Sequence, residues 1–201
     1  MRTLYLLLFL QLIYCAVDGQ TSDKKKLYSI AVSNSHSSYP FSTGVALVTG
    51  PYNPGFELAY NPTLRQRQKH EWVANYAASY LFHRFNQHAI SLYAQFGYRY
   101  KFTSRFHADG MVGGGYLHSI PATAQLKLNE EGEYENAKGI RRMQATVNAA
   151  LGIRYYLSTS PGNKNVFLRY QTSIQTPFVK SYVPMLPYNT LLLGVAFSIQ
   201  R

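Results

Sequence analysis

Cysteine is almost absent: Cys15 is the only one among 201 residues. A single thiol excludes an intramolecular disulfide framework and a Cys-rich metal site. Charge is also scarce, with Asp, Glu, Lys and Arg making up 14% of the chain, well below the roughly 25% of an average soluble domain. Only nine residues are acidic against 20 basic ones, a formal charge of +11. Beyond the N-terminus no long apolar run appears, and the mean hydropathy is −0.20, which excludes a bundle of membrane helices. Aromatic residues, by contrast, are plentiful, with 18 Tyr and 11 Phe against one Trp. These numbers leave a β-rich exported domain or a membrane barrel, and 201 residues suffice for one such unit.

The N-terminus assigns the compartment. Arg2 precedes an apolar stretch over residues 4–14, broken only by Gln11. Eleven residues at about 1.5 Å each cannot cross about 30 Å of hydrocarbon, so the stretch reads as a signal-peptide core. Val17 and Gly19 suit a cleavage site, giving a signal peptide over 1–19 and a mature domain over 20–201. A lipidated Cys15 is the rival, with Leu12 three residues before it, but bulky Tyr14 fits that poorly. The leader carries one Arg and one Asp, so the mature charge stays at +11. In an exported protein that excess points to lipid phosphates or a polar interior; no nucleic-acid partner is expected.

A period of two runs through the mature chain. From 90 to 102, Ile90, Leu92, Ala94, Phe96, Tyr98, Tyr100 and Phe102 alternate with Ser91, Tyr93, Gln95, Gly97, Arg99 and Lys101. Successive strand side chains point to opposite faces, so one face is apolar and the other polar. The same alternation marks 71–82, 143–157 and 190–199, and shorter stretches at 27–34, 56–61, 106–118 and 166–175. That makes eight strands; pairing of 43–49 would add a ninth. Long linkers follow at 121–142 and 176–188, whereas Thr103-Ser104 and Pro161-Gly162-Asn163 read as short turns. With a periplasmic start, the long linkers fall outside and the short turns inside, as in transmembrane barrels.

Strand length favours lipid over a sandwich core. Strands of about 10 to 15 residues exceed the usual ~5 to 6 and match the 9 to 11 needed to cross a bilayer. The expected fold is therefore an all-β, antiparallel, up-and-down transmembrane barrel of eight strands. Trp72, Tyr80, Tyr98, Tyr100, Tyr155 and Tyr170 are read as an aromatic girdle at the headgroups. The polar face carries Glu57, Glu71, Asn75, Arg99, Lys101, Asp109, Arg154 and Arg169, read as a network filling a lumen too narrow for an open pore. Gln95, Asn148 and Gln171 share that face. Glu57 and Glu71 are expected to meet Arg99, Arg154 or Arg169.

The chain resembles the small outer-membrane β-barrel proteins of Gram-negative bacteria, particularly the Bacteroidetes-type group. The resemblance spans nearly the whole mature chain. It rests on Asn53-Pro54-Gly55-Phe56-Glu57-Leu58, on 92–102, on Gly113-Gly114-Gly115-Tyr116 and on the final strand over 191–199. It implies an outer-membrane location, contact with membrane lipid and lipopolysaccharide, and assembly by the barrel assembly machinery. Such barrels usually end in an aromatic residue, whereas this chain ends Phe197-Ser198-Ile199-Gln200-Arg201.

Some barrels of this kind are lipid A deacylases with Ser, His and a carboxylate. His36-Ser37-Ser38 and His118-Ser119 are the candidates, the first in a loop and the second on opposite faces of one strand; no catalytic set is assigned. His83, His88, His107 and His118 invite a metal reading, but zinc spacing is absent and neither metal nor cofactor is expected. Glu130, Glu131, Glu133 and Glu135 read as a solvated hairpin tip. Lys24-Lys25-Lys26, and Arg65, Arg67, Lys69 and His70 in an inner linker, are placed to meet headgroups. Pro177-Phe178, Tyr182-Val183-Pro184 and Leu186-Pro187-Tyr188 make the last outer loop apolar and offer a surface for a partner. The favoured function is structural or surface-interacting, with a plugged lumen. The alternatives are a lipid A hydrolase, a small-solute channel and a soluble ligand-binding barrel.

Overall fold

The computed structural model describes residues 27–37, 46–84, 86–123, 126–129, 132–136, 142–157, 164–178 and 184–198. The leader, Cys15, Lys24 to Lys26, Ser38, Glu130, Glu131, the 161–163 turn, Tyr182, Val183 and the last three residues lie outside them.

Strands β1 (Leu27–Ser37), β2 (Pro54–Tyr60), β3 (Thr63–Gln66), β4 (His70–His83), β5 (Gln87–Lys101), β6 (Phe106–Pro121), β9 (Arg142–Tyr156), β10 (Asn165–Thr176) and β11 (Leu186–Ser198) form one sheet. Every pairing is antiparallel, and β1 pairs with both β2 and β11. The sheet closes because β2 and β3 share one neighbour: β2 pairs with Tyr76 to Leu81 of β4, and β3 pairs with Glu71 to Val73. The two short strands thus make a single stave, and the ring has eight. Closure leaves no unpaired sheet edge, the condition for β-structure in hydrocarbon.

The break between β2 and β3 has a local cause. Pro62 has no N–H to give the ladder, but its carbonyl still accepts from the Ala74 amide at 3.0 Å. The register shifts between Thr63 and Arg65, a bulge that re-aims the following side chains. Arg65 and His70 therefore lie in strands rather than in a linker.

The other departures from the sequence reading sit at the opposite end. Of the 43–49 stretch considered for a ninth strand, Ala46–Thr49 forms a single helical turn, α1, and 43–45 lie outside the described residues. Asn34 Nδ2 donates to the Leu47 carbonyl at 2.8 Å, and the Asn53 amide donates to Asn34 Oδ1 at 2.8 Å. The first bond ties α1 to the top of β1, and the second ties the segment entering β2 to the same asparagine. His36 belongs to β1, not to a loop. Leu186, Pro187 and Tyr188 belong to β11, paired with Gln175, Ile174 and Ser173, so the apolar linker is shorter than its composition suggests. Between β6 and β9, the small strands β7 (Leu126–Leu128) and β8 (Tyr134–Asn136) make a separate hairpin.

Burial follows the parity of the strands and is inverted relative to a water-soluble protein. Along β5, Gln87, Ser91, Gln95 and Arg99 are buried while Ile90, Leu92 and Phe96 are exposed. Val112 and Leu151 are each 63% exposed, Val147 62% and Leu193 53%. Exposed apolar side chains on successive staves form a belt far larger than the few hundred Å² a soluble monomer tolerates. Among the described residues no helix is long and apolar enough to cross a membrane. The fold is a closed, eight-stranded, antiparallel transmembrane barrel.

Candidate functional site: the enclosed polar network

The inward residues divide into a charged inner half and a neutral outer half. One row runs around the wall through direct register partners: Glu71 faces Arg99, Arg99 faces Asp109, Asp109 faces Gly152 and Gly152 faces Arg169. Neighbours in such a row have Cβ atoms about 4.5–5.5 Å apart, close enough for Arg to pair sideways. Arg99 Nη1 lies 3.2 Å from Glu71 Oε2 and its Nε 3.5 Å from Asp109 Oδ2. Arg154 Nε donates to the same Asp109 oxygen at 2.6 Å, and Lys101 Nζ reaches Glu71 Oε1 at 2.7 Å.

Gly152 makes room for this. A Cβ there would stand 2.5 Å from Asp109 Oδ1, so the carboxylate leans over the glycine to meet Arg154. Gly152→Val is expected to lower stability by about 1–3 kcal/mol through overpacking, measurable as a shifted urea midpoint in micelles. An unchanged midpoint would mean the carboxylate can move aside without losing its partners.

A second set of contacts spans the lumen. Glu57 of β2 and Arg169 of β10 come from staves three apart, and Arg169 Nη1 donates to Glu57 Oε1 at 3.1 Å. The Tyr93 hydroxyl of β5 donates to the other Glu57 oxygen. Beside it, Gln95 Nε2 donates to Asn148 Oδ1 at 2.6 Å and Gln171 Oε1 at 3.1 Å, and Asn75 Nδ2 donates to Gln95 Oε1 at 2.8 Å. Further out, Ser119 bonds to Gln87, and Gln87 Nε2 donates to Gln175 Oε1 at 2.9 Å. Arg99, Arg154, Arg169 and Glu57 are each 2% exposed or less. A small cavity of about 30 Å³, lined by Ser33, Ser91, Tyr93, Thr146 and Ser173 among others, lies in the outer half. It has room on the order of one water.

All eight residues assigned to the polar face by parity point inward, and seven are buried; Lys101 is half-buried at the inner mouth. Sequence reasoning passed over Phe167. Its ring lies 4.9 Å from the Arg154 guanidinium and 5.1 Å from that of Arg169, a cation–π contact with each. Its parity, two residues before Arg169, was the available signal. Tyr93 was likewise readable as inward, but its Glu57 contact depends on ring closure.

The aromatic positions differ among themselves. Trp72, Tyr98, Tyr100 and Tyr155 lie near the inner ends of their strands, with Trp72 stacked on Phe96 at 5.1 Å between centroids. Tyr80 lies towards the outer end and bonds to His88 Nδ1 at 2.8 Å. Tyr170 stands mid-strand, opposite Leu151 and Leu191, so it does not share an end belt.

The candidate catalytic and metal residues are not brought together. Ser119 is buried in the lumen while His118 faces outward, bonded to Tyr116 at 3.0 Å. His107 is inward at the inner end, whereas His83, His88 and His118 lie at the outer end. Among the described residues no group of three His, Cys, Asp or Glu could hold a metal ion. Glu133 is exposed beside β8, its amide donating to Asn129 Oδ1 at 2.7 Å.

This geometry, apolar outside and ion-paired inside, defines a small outer-membrane-type barrel. Neither a protein-family model nor a curated protein sequence matches the chain. Among solved structures it is similar to neisserial surface protein A, with 10% identity, 89% of this chain and 98% of that one covered, and a TM-score of 0.50. The attachment invasion locus protein Ail of Yersinia pestis, crystallised with the heparin analogue sucrose octasulfate, gives 13%, 89%, 100% and 0.49. The outer membrane enzyme PagL gives 12%, 86%, 99% and 0.49. At such identities the first of these likenesses speaks for the fold alone.

Proposed function

We propose that the chain is an integral outer-membrane protein with a closed lumen, a rigid carrier of its outer loops rather than a solute channel. The observation behind this reading is the Glu57–Arg169 pair with Tyr93, which ties three staves together across the interior. A buried ion pair offsets its desolvation only with good geometry and further hydrogen bonds, and the Gln95 cluster supplies polar neighbours beside it. Residues 1–19 would direct export and be removed. Trp72, Tyr80, Tyr98, Tyr100 and Tyr155 would meet headgroups, and the outer loops would meet lipopolysaccharide or a surface partner. The glycine-rich 113–115 run supports kinship with the Bacteroidetes-type group.

Two measurements test this. In cell fractions the protein should appear in the outer membrane, with gel mobility that changes on boiling; recovery without detergent would refute it. In planar bilayers the wild type should give no stable conductance, whereas Glu57→Gln, which leaves Arg169 without its carboxylate, should produce openings. Regular wild-type conductance steps would contradict a closed lumen.

A further inference from the structure

Among the described residues, the outer surface of the barrel carries a broad, open concavity. It measures about 620 Å³ and lies over β1, β2, β4 and β5. Its depth comes from side-chain size: Ala78 forms the floor, while Tyr60, Tyr76, Leu58 and Leu92 rise around it as walls. Tyr28, Tyr60 and Tyr76 form one rank, joined by direct register pairing. Their rings are 5.3 and 6.4 Å apart, so the wall is continuous.

A cationic cluster lies at the inner end of the same staves. The bulge after Thr63 sets Arg65 directly opposite Trp72, on the outward face. Arg65, Arg67 and Lys69 are all exposed, and the Arg67 amide closes the turn onto the His70 carbonyl at 2.8 Å. From Trp72 to Tyr76 is four residues, about 13 Å along a strand. One leaflet is about half of the ~30 Å hydrocarbon thickness. A lipid whose phosphate meets Arg65 would therefore lay the middle of an acyl chain beside Tyr76 and Ala78.

We infer that this face is a binding site for an anionic phospholipid of the inner leaflet. The groove takes one acyl chain, and Arg65, Arg67 and Lys69 hold the phosphate-bearing headgroup. The inference rests on the membrane reading above. Charge complementarity selects the occupant: a neutral or zwitterionic lipid would fill the groove but gain little from three cations. Each cation near an anionic headgroup contributes roughly a fivefold preference.

Trp72 is the only tryptophan in the chain and lies between groove and cluster, so it reports directly. The full-length protein in nanodiscs is titrated with trace phosphatidylglycerol or phosphatidylcholine, each brominated in mid-chain. Phosphatidylglycerol should quench Trp72 at a several-fold lower mole fraction. The triple variant R65Q/R67Q/K69Q should abolish that difference, and Ala78→Phe should raise the phosphatidylglycerol fraction required. Equal quenching of the wild type by both lipids would overturn the site while leaving the membrane reading intact. A wild-type response in Ala78→Phe would overturn the groove's part in it. Absence of quenching by either lipid would overturn both site and membrane reading.

Discussion

Asp109→Asn should cost the barrel about 3–5 kcal/mol of unfolding free energy, the usual loss when a buried ion pair is broken from one side. Among the described residues, Asp109 is the one carboxylate that meets two guanidiniums, Arg154 at 2.6 Å and Arg99 at 3.5 Å. Without its charge, Arg99 still has Glu71, but Arg154 retains no carboxylate, only the long bond to Asn165 Oδ1 at 3.4 Å and the Phe167 ring. Arg154 is 1% exposed, so water cannot readily take over. Arg99→Leu should destabilise less, because Asp109 keeps Arg154 and Glu71 keeps Lys101. Both are read from denaturant unfolding in detergent, followed by Trp72 fluorescence. Equal losses in the two variants would mean the cluster is solvated, and that the pairing described here does not govern stability.

Val112→Arg should cost about 2–4 kcal/mol, the depth-dependent penalty of a cation facing lipid near the midplane of a barrel. Val112 is mid-strand in β6, flanked by Phe96 and Ala149 on the neighbouring staves. The same change at Leu157, 57% exposed just past the inner end of β9, should cost only about 0–1 kcal/mol, since the penalty fades towards the interface. For a barrel standing in water both arginines would be tolerated alike. The contrast between two similarly exposed positions, measured by unfolding from lipid vesicles, thus isolates depth in the membrane. A neutral Val112→Arg would contradict lipid contact at that face.

How much of this was legible in the sequence depends on the range of the interaction. Side-chain parity is local, and residues such as Arg99 or Leu92 reveal their face from the neighbours two positions away. Eight staves followed from the same pattern. The partners of those residues depend on ring closure, and parity is silent about that: Glu57 meeting Arg169 requires β1 and β11 to pair. The β2–β3 break was hidden because a bulge resets the period, turning Arg65 from a linker residue into an outward neighbour of Trp72. His36 sits in a run of serines and Leu186 to Tyr188 surround a proline, which is depleted in strands, so composition alone places both in loops. Register partners, Asn189 on β11 for His36 and Gln175 on β10 for Leu186, overrode that weak preference. Tyr170 shows the converse limit, since residue type alone does not give depth.

The claim on which everything rests is that alternate side chains of each stave face acyl chains while the others are enclosed. A cysteine scan over 143–155 of β9, in a background with Cys15 replaced, tests it when each site carries a nitroxide in reconstituted vesicles. Residues Met143, Val147, Leu151 and Ile153 should be open to oxygen and closed to a water-soluble nickel reagent, with Gln144, Asn148 and Arg154 closed to both. Nickel access at Val147 and Leu151, or oxygen exclusion there, would show water or a protein core on that face and contradict the account.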